Sequence, residues 1–231
     1  DLRRCIQSIV NKSTWSNYEI IVVENNSTTP EIKDYYSQLL GLSGDDSYEE
    51  RCKLHTVCGH DGGILHSGDG RISIVTYHGD FNYSAVNDLG ASYASGEYIL
   101  LLNNDTEVIT ANWMEEMLMY AQREDVGAVG AKLYYADKTI QHAGVVIGLG
   151  AHRTAGHTHY RIPVQNLGYM GRLCYTQNVT AVTGACLLVK KSLYEQVGGL
   201  DESFVISLND VDFCLKLRKL GLLNVWTPFA E

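Results

Sequence analysis

The chain of 231 residues predicts an α/β fold. Short apolar runs alternate with stretches of helical period from the first residues to about Ala131, which is the doubly wound pattern. Two of those runs, Tyr18–Val23 and Tyr98–Leu102, break abruptly into polar side chains, Glu24-Asn25-Asn26-Ser27 and Asn103-Asn104-Asp105. A composition of 45% hydrophobic and 19% charged residues supplies an ordinary globular core.

Leu2, Cys5, Ile6 and Ile9 keep helical spacing, so residues 2 to 11 read as the tail of an amphipathic helix. An opening strand is expected to precede Asp1. Tyr18–Val23 is a buried strand, and Pro30, at a first helical position, opens a helix to about Leu40. Residues 41 to 70 have no period and many Gly and Asp; they read as a mobile excursion, either a lid or a surface loop. Arg71–Tyr77 is a third strand, and Phe81-Asn-Tyr-Ser leads into a helix ending near Ser95, with Gly96 as its stop.

Tyr98–Leu102 reads as a central strand buried on both faces. At its carboxyl end one carboxylate and two amides suit a metal-bound phosphate, although Asn-Asn-Asp also simply turns a chain. Asn112 with Glu115 is a capping arrangement ahead of a helix bearing Trp113, Met117, Leu118 and Ala121. Val126–Ala131 is a short buried strand. The segment Gln141–His159 is Gly-rich with spaced His, either a sugar pocket or hairpin turns. Thr180–Val189 is a strand interrupted at Gly184, where a close approach is expected. The last helix starts at Asn209 as N-cap, has the stripe Phe213, Leu217 and Leu220, and stops at Gly221. Asp210 and Asp212 in its first turn offset the macrodipole, or one of them serves as a general base.

A net charge of −9 disfavours a nucleic-acid partner, which needs concentrated Lys and Arg. No apolar run reaches the roughly 20 residues of a spanning helix. Six cysteines scattered through apolar elements and loops indicate reduced thiols and a cytoplasmic setting. Six Asn-x-Ser/Thr sequons occur, one of them Asn104-Asp-Thr106 at the candidate site, where modification would be awkward. Cys52-x-x-His55-x-x-Cys58-x-His60 offers zinc ligands but no second Cys pair. Neither a dinucleotide fingerprint nor a P-loop follows any strand.

Glu24-Asn25-Asn26-Ser27, Phe81-Asn-Tyr-Ser, Gly96-Glu-Tyr-Ile-Leu-Leu-Leu-Asn-Asn-Asp105, Val129-Gly-Ala-Lys-Leu-Tyr134, Gly198-Gly-Leu-Asp-Glu202 and Asn209-Asp-Val-Asp-Phe213 follow one another in this order. Together they resemble the family-two inverting glycosyltransferases of GT-A fold, especially bacterial rhamnosyl- and galactosyl-type enzymes of surface polysaccharide synthesis. The resemblance implies a mixed, mostly parallel sheet flanked by helices, truncated at both ends. Residues 1-231 would be one catalytic domain. Residues 1-133 would be a donor-binding half containing the insert 41-70, and 134-231 an acceptor-side half carrying the base.

It further implies that Glu24 and Asn25 bind the donor's nucleoside and that Asn103, Asn104 and Asp105 hold its diphosphate, with Asp105 on Mg²⁺ or Mn²⁺. Asp210 is then the base, Gly184 and Ala185 lie near the donor sugar, and Asn87 stands near the family's Arg-Asn pair, without the Arg. Asn103 replaces an acid of the metal motif, and the His that often follows the strand containing Trp226 is not reached. The implied partners are a nucleotide-diphospho-sugar and a saccharide or lipid-linked saccharide acceptor, with peripheral association at the membrane's inner face as an option. The alternatives are a non-catalytic sugar-nucleotide-binding domain and a metal-dependent nucleotidyltransferase.

Overall fold

The computed structural model describes residues 1–44, 46–57, 63–149 and 153–231, with only the backbone described over 54–57. In chain order the elements begin with α1 (Leu2–Lys12), β1 (Ile20–Glu24), α2 (Pro30–Leu40), α3 (Tyr48–Val57), β2 (Ile64–His66), β3 (Ile72–Thr76) and α4 (Tyr83–Tyr93). Then come β4 (Tyr98–Leu102), α5 (Trp113–Ala121), β5 (Val126–Gly130), β6 (Leu133–Tyr134), β7 (Ile140–His142), β8 (Val145–Leu149) and β9 (Thr154–His157). A 3₁₀ segment (Tyr169–Cys174) precedes β10 (Gln177–Val179), β11 (Cys186–Lys190), α6 (Lys191–Gln196), α7 (Asn209–Lys219) and β12 (Leu223–Trp226). They fall into two compact units, Asn17–Gly96, and Asp1–Ser16 with Glu97–Glu231.

In the unit Asn17–Gly96 the sheet order is β1-β3-β2, with β1 parallel to β3 and β2 antiparallel. Helix α2 begins at Pro30 after Thr29 and closes on Gly41, whose φ of 71° lets Gly41 N–H reach Gln38 and Leu42 N–H reach Ser37. Asn82 caps α4 by accepting from Ala85 N–H at 3.2 Å. The stop expected at Gly96 falls earlier, at Ala94. The stretch 41-70 is corrected in part: it contains α3 and β2. Helix α3 has no apolar stripe to announce it; buried Tyr48 packs on Tyr36, and Lys33 pairs with Glu49.

In the other unit five strands run in the order β10-β12-β5-β11-β4. Only β5 and β12 pair in parallel there, and β11 runs antiparallel to both β4 and β5. The expectation of a mostly parallel sheet is therefore corrected. The chain returns through β11 in the opposite direction to its two neighbours, and the apolar runs carry no sign of direction. Strand β4 ends this five-strand order, and its burial alternates, with Ile99 and Leu101 inside and Tyr98, Leu100 and Leu102 half-buried. Strand β5 is buried at every residue. A Cβ on Gly130 would stand 2.5 Å from Val182 Cβ, so glycine permits that approach.

The Asn112–Glu115 capping box does not form: Asn112 Nδ2 donates to Glu116, and Glu115 accepts from Thr14 Oγ1. Trp113, Met117 and Ala121 do line the buried face of α5. In α7, Phe213 and Leu217 are buried while Leu220 is exposed. Gly221, at φ 86°, ends the helix as expected. The described cysteines, Cys5, Cys52, Cys174, Cys186 and Cys214, are free thiols. The Cys58 and His60 positions of the candidate zinc cluster lie outside the described residues.

Candidate active site

The antiparallel pairing of β11 with β4 places Cys186 opposite Leu102. The residues just before β11, Thr183 to Ala185, therefore lie at the same sheet edge as the residues just after β4. Asn103 N–H donates to Ala185 C=O at 3.0 Å. The Asn103 carbonyl then accepts from Thr106 N–H at 3.3 Å and Thr106 Oγ1 at 2.8 Å, closing a turn whose tip is Asn104-Asp105. Both tip residues are exposed. The turn reading of Asn-Asn-Asp therefore holds, and the turn leaves the Asn104 and Asp105 side chains exposed.

Helix α1 braces this turn with one face. Cys5 lies against Asn103 C=O and Thr106 Oγ1, Ser8 Oγ accepts from Val108 N–H at 3.0 Å, and Lys12 Nζ donates to Val108 C=O at 2.6 Å. Positions 5, 8 and 12 share a helix face by the i, i+3, i+7 spacing. Burial pushes the Cys5 thiol up, with the Asp105 charge adding to it.

Asp210 sits in the first turn of α7, half-buried. Its Oδ2 accepts from Gly184 N–H at 3.0 Å and its Oδ1 from Val211 N–H at 2.8 Å. Asp212 instead pairs with Lys216 at 3.0 Å, four residues on along the helix surface. The two acids that the sequence left equivalent are thereby separated: one completes a helix ion pair, and the other holds the loop beside the turn. Asn209 is the first helical residue and not the cap. The cap position is Leu208, in left-handed backbone at φ 69°, and Asn209 Oδ1 accepts from Asp210 N–H.

Consecutive residues therefore link the two acidic positions. Gly184 holds Asp210 and Ala185 holds Asn103. The Asp105 carboxylate makes no hydrogen bond or ion pair among the described residues. Nor does any cluster of three His, Cys, Asp or Glu there form a ready-made metal cage. A hard-oxygen set of the exposed Asp105 carboxylate, the exposed Asn104 amide and the half-buried Asn103 amide still fits Mg²⁺ or Mn²⁺. Such ions keep waters and take further oxygens from phosphates instead of needing an all-protein cage.

In the unit Asn17–Gly96 the expected nucleoside residues end β1. Glu24 is buried, with Oε1 accepting from Ser27 N–H and Oε2 from Tyr36 OH, each at 2.5 Å. Burial and that carboxylate push the Tyr36 phenol up. Asn25 Nδ2 donates to Tyr77 and Gly79 carbonyls, tying the carboxyl ends of the parallel strands β1 and β3. Asn87 Nδ2 donates back to Tyr83 C=O in its own helix.

One contact was not singled out from the sequence: His142, which is fully buried, meets His157, whose Nδ1 lies 2.9 Å from His142 Nδ1. Burial depresses both imidazoles, His142 strongly, and the Asp210 charge works against this at His157. The Gly-rich spacing marked this stretch. Which rings meet depends on β8 pairing with β9, Val145 opposite His157.

The fold is that of the GT-A glycosyltransferases. GalNAc-T7 crystallised with UDP, GalNAc and Mn²⁺ superposes with a TM-score of 0.68 at 14% identity, over 99% of this chain and 39% of that one. The chain belongs to glycosyl transferase family 2, whose family model matches residues 1–54 and 64–198. It is 41% identical over its whole length to the uncharacterized protein y4gI of Sinorhizobium fredii, and covers 22% of it. It is 34% identical, over 98% of its length, to the O-antigen biosynthesis protein RfbC of Myxococcus xanthus, of which it covers 16%. The chain thus spans about a fifth of the length of these curated relatives.

Proposed function

We propose that the chain is the catalytic domain of an inverting glycosyltransferase. It moves a hexose or deoxyhexose from a nucleotide-diphospho-sugar to a saccharide or lipid-linked saccharide acceptor in bacterial surface polysaccharide synthesis. The observation that carries this reading is the pairing of Gly184 with Asp210 and of Ala185 with Asn103. It ties a candidate base to a candidate phosphate-binding turn, within a family of glycosyltransferases. Residues 1-133 form the donor side, where Glu24, Asn25 and Asn87 contribute to nucleoside binding. Residues 134-231 form the acceptor side.

Asn103, Asn104 and Asp105 orient the diphosphate, with Asp105 as the charged ligand of Mg²⁺ or Mn²⁺. The divalent ion, when bound, offsets charge developing on the leaving diphosphate. Asp210, steadied by two N–H donors, accepts the proton of the acceptor hydroxyl as that oxygen attacks the anomeric carbon. One base, with no second carboxylate beside it among the described residues, favours a single, inverting displacement. No helix among the described residues is long and apolar enough to cross a membrane. The setting proposed is the cytoplasm, where a lipid-linked acceptor would be met by peripheral association at the inner face of the membrane.

Asp210→Asn keeps the carboxylate's shape but cannot accept the proton at neutral pH. Transfer is expected to fall by about 10³-fold or more, with sugar-nucleotide binding by calorimetry unchanged. Transfer at the wild-type rate would remove Asp210 from the mechanism. A non-catalytic sugar-nucleotide-binding domain is the second reading, favoured by Asn103 standing where the family has an acid; a wild-type chain that binds donor without turnover would establish it.

A further inference from the structure

The histidine pair has one consistent proton assignment. Thr183 N–H lies 3.4 Å from His142 Nε2. A backbone amide only donates, so Nε2 is the acceptor, and a neutral ring then carries its proton on Nδ1. That Nδ1–H donates across 2.9 Å to His157 Nδ1. His157, also neutral, must carry its proton on Nε2. The reverse assignment would set the N–H of His142 Nε2 against the N–H of Thr183.

Location gives this assignment a use. His142 is sealed from solvent, whereas His157 is only half-buried and feels the Asp210 charge. Thr183 immediately precedes Gly184, so successive N–H groups of one loop serve the histidine pair and the Asp210 carboxylate. The ring of Tyr160, itself exposed, lies 6.5 Å from the His157 ring, and Arg161 is held over Tyr135 and Tyr160. A polar N–H beside an exposed aromatic face matches a pyranose, which has hydroxyls at its rim and C–H bonds on its faces.

We propose that His157 Nε2–H donates a hydrogen bond to the acceptor saccharide, at a hydroxyl next to the one that Asp210 deprotonates, and that His142 is its positioning residue. A neighbouring hydroxyl is the suitable target, because donation to the attacking oxygen itself would lower its nucleophilicity. The inference rests on Asp210 acting as the base.

The test uses the whole chain with Mn²⁺, UDP-galactose and dTDP-rhamnose as donors, and methyl hexosides as acceptors. His157→Ala is expected to raise the acceptor KM about tenfold, the worth of one hydrogen bond to substrate, while donor affinity by calorimetry stays within about twofold. His157→Gln, which can restore an N–H near the Nε2 position, should recover most of the loss. Long-range ¹H–¹⁵N NMR of the wild-type chain should show the Nδ1–H tautomer at His142 and the Nε2–H tautomer at His157. Reversed tautomers, an unchanged acceptor KM, or an equal fall in donor affinity would overturn the inference alone. A wild-type chain that transfers sugar from neither donor would overturn the functional reading together with it.

Discussion

Leu208 holds a left-handed backbone, φ 69°, at the position that caps the helix bearing Asp210. A non-glycine residue there costs roughly 1 kcal/mol or more, and its side chain is too exposed to recover it by burial. Leu208→Gly should therefore leave urea stability unchanged or raise it by up to about 1 kcal/mol, whereas Leu208→Val, β-branched, should lower it by about 1–2 kcal/mol. Gly130→Ala should cost about 1–3 kcal/mol, because the added methyl meets Val182 at 2.5 Å. At Asp105 the expected effect is on binding. Asp105→Ala removes the only charged oxygen of the turn and should weaken Mn²⁺-dependent nucleotide affinity about tenfold or more by calorimetry, with metal-free affinity little changed.

At the scale of elements, α1 and the turn after β4 form one braced unit. Ser8 Oγ is the partner of the buried Val108 N–H, so Ser8→Ala should cost about 1–3 kcal/mol in urea unfolding. Most elements were legible because their signals are local. Pro30 opens α2, Gly221 ends α7, and the apolar run of β5 is short and unbroken. What was not legible depends on partners distant in sequence. Helix α3 is fixed by Tyr48 against Tyr36 and by Lys33 with Glu49, contacts that leave no period in its own residues. The direction of β11 and the separation of Asp210 from Asp212 were equally hidden, since both are decided by which backbone lies alongside. Asn103–Asp105 were readable as a polar break after an apolar run and Asp210 as one of two first-turn acids of the last helix, but the His142–His157 contact spans a hairpin whose register no single residue declares.

For the molecule as a whole, the buried imidazoles set an acid limit. Burial lowers the folded pKa of His142 well below its ordinary 6.5, so the unfolded chain binds the proton more readily. The stabilisation is complete above pH 6.5 and is lost as the pH falls below it, at up to about 1.4 kcal/mol per pH unit for one proton. His157 shifts in the same direction but, being half-buried, adds less. Urea midpoints are expected to be flat from pH 8 to 7 and to fall steadily from 6.5 to 5; a midpoint that rises on acidification would contradict this account.

The two neighbouring peptides at Gly184 and Ala185 have a consequence for engineering and descent alike. The gap between the turn after β4 and Asp210, the proposed phosphate site and base, is ruled by a covalent step of the chain, about 3.8 Å between successive Cα atoms, and not by how two separate surfaces settle together. Exchanging loops elsewhere to accept new sugars should leave that gauge untouched. One inserted residue between Thr183 and Cys186 would reset it, taking both anchors out of step at once.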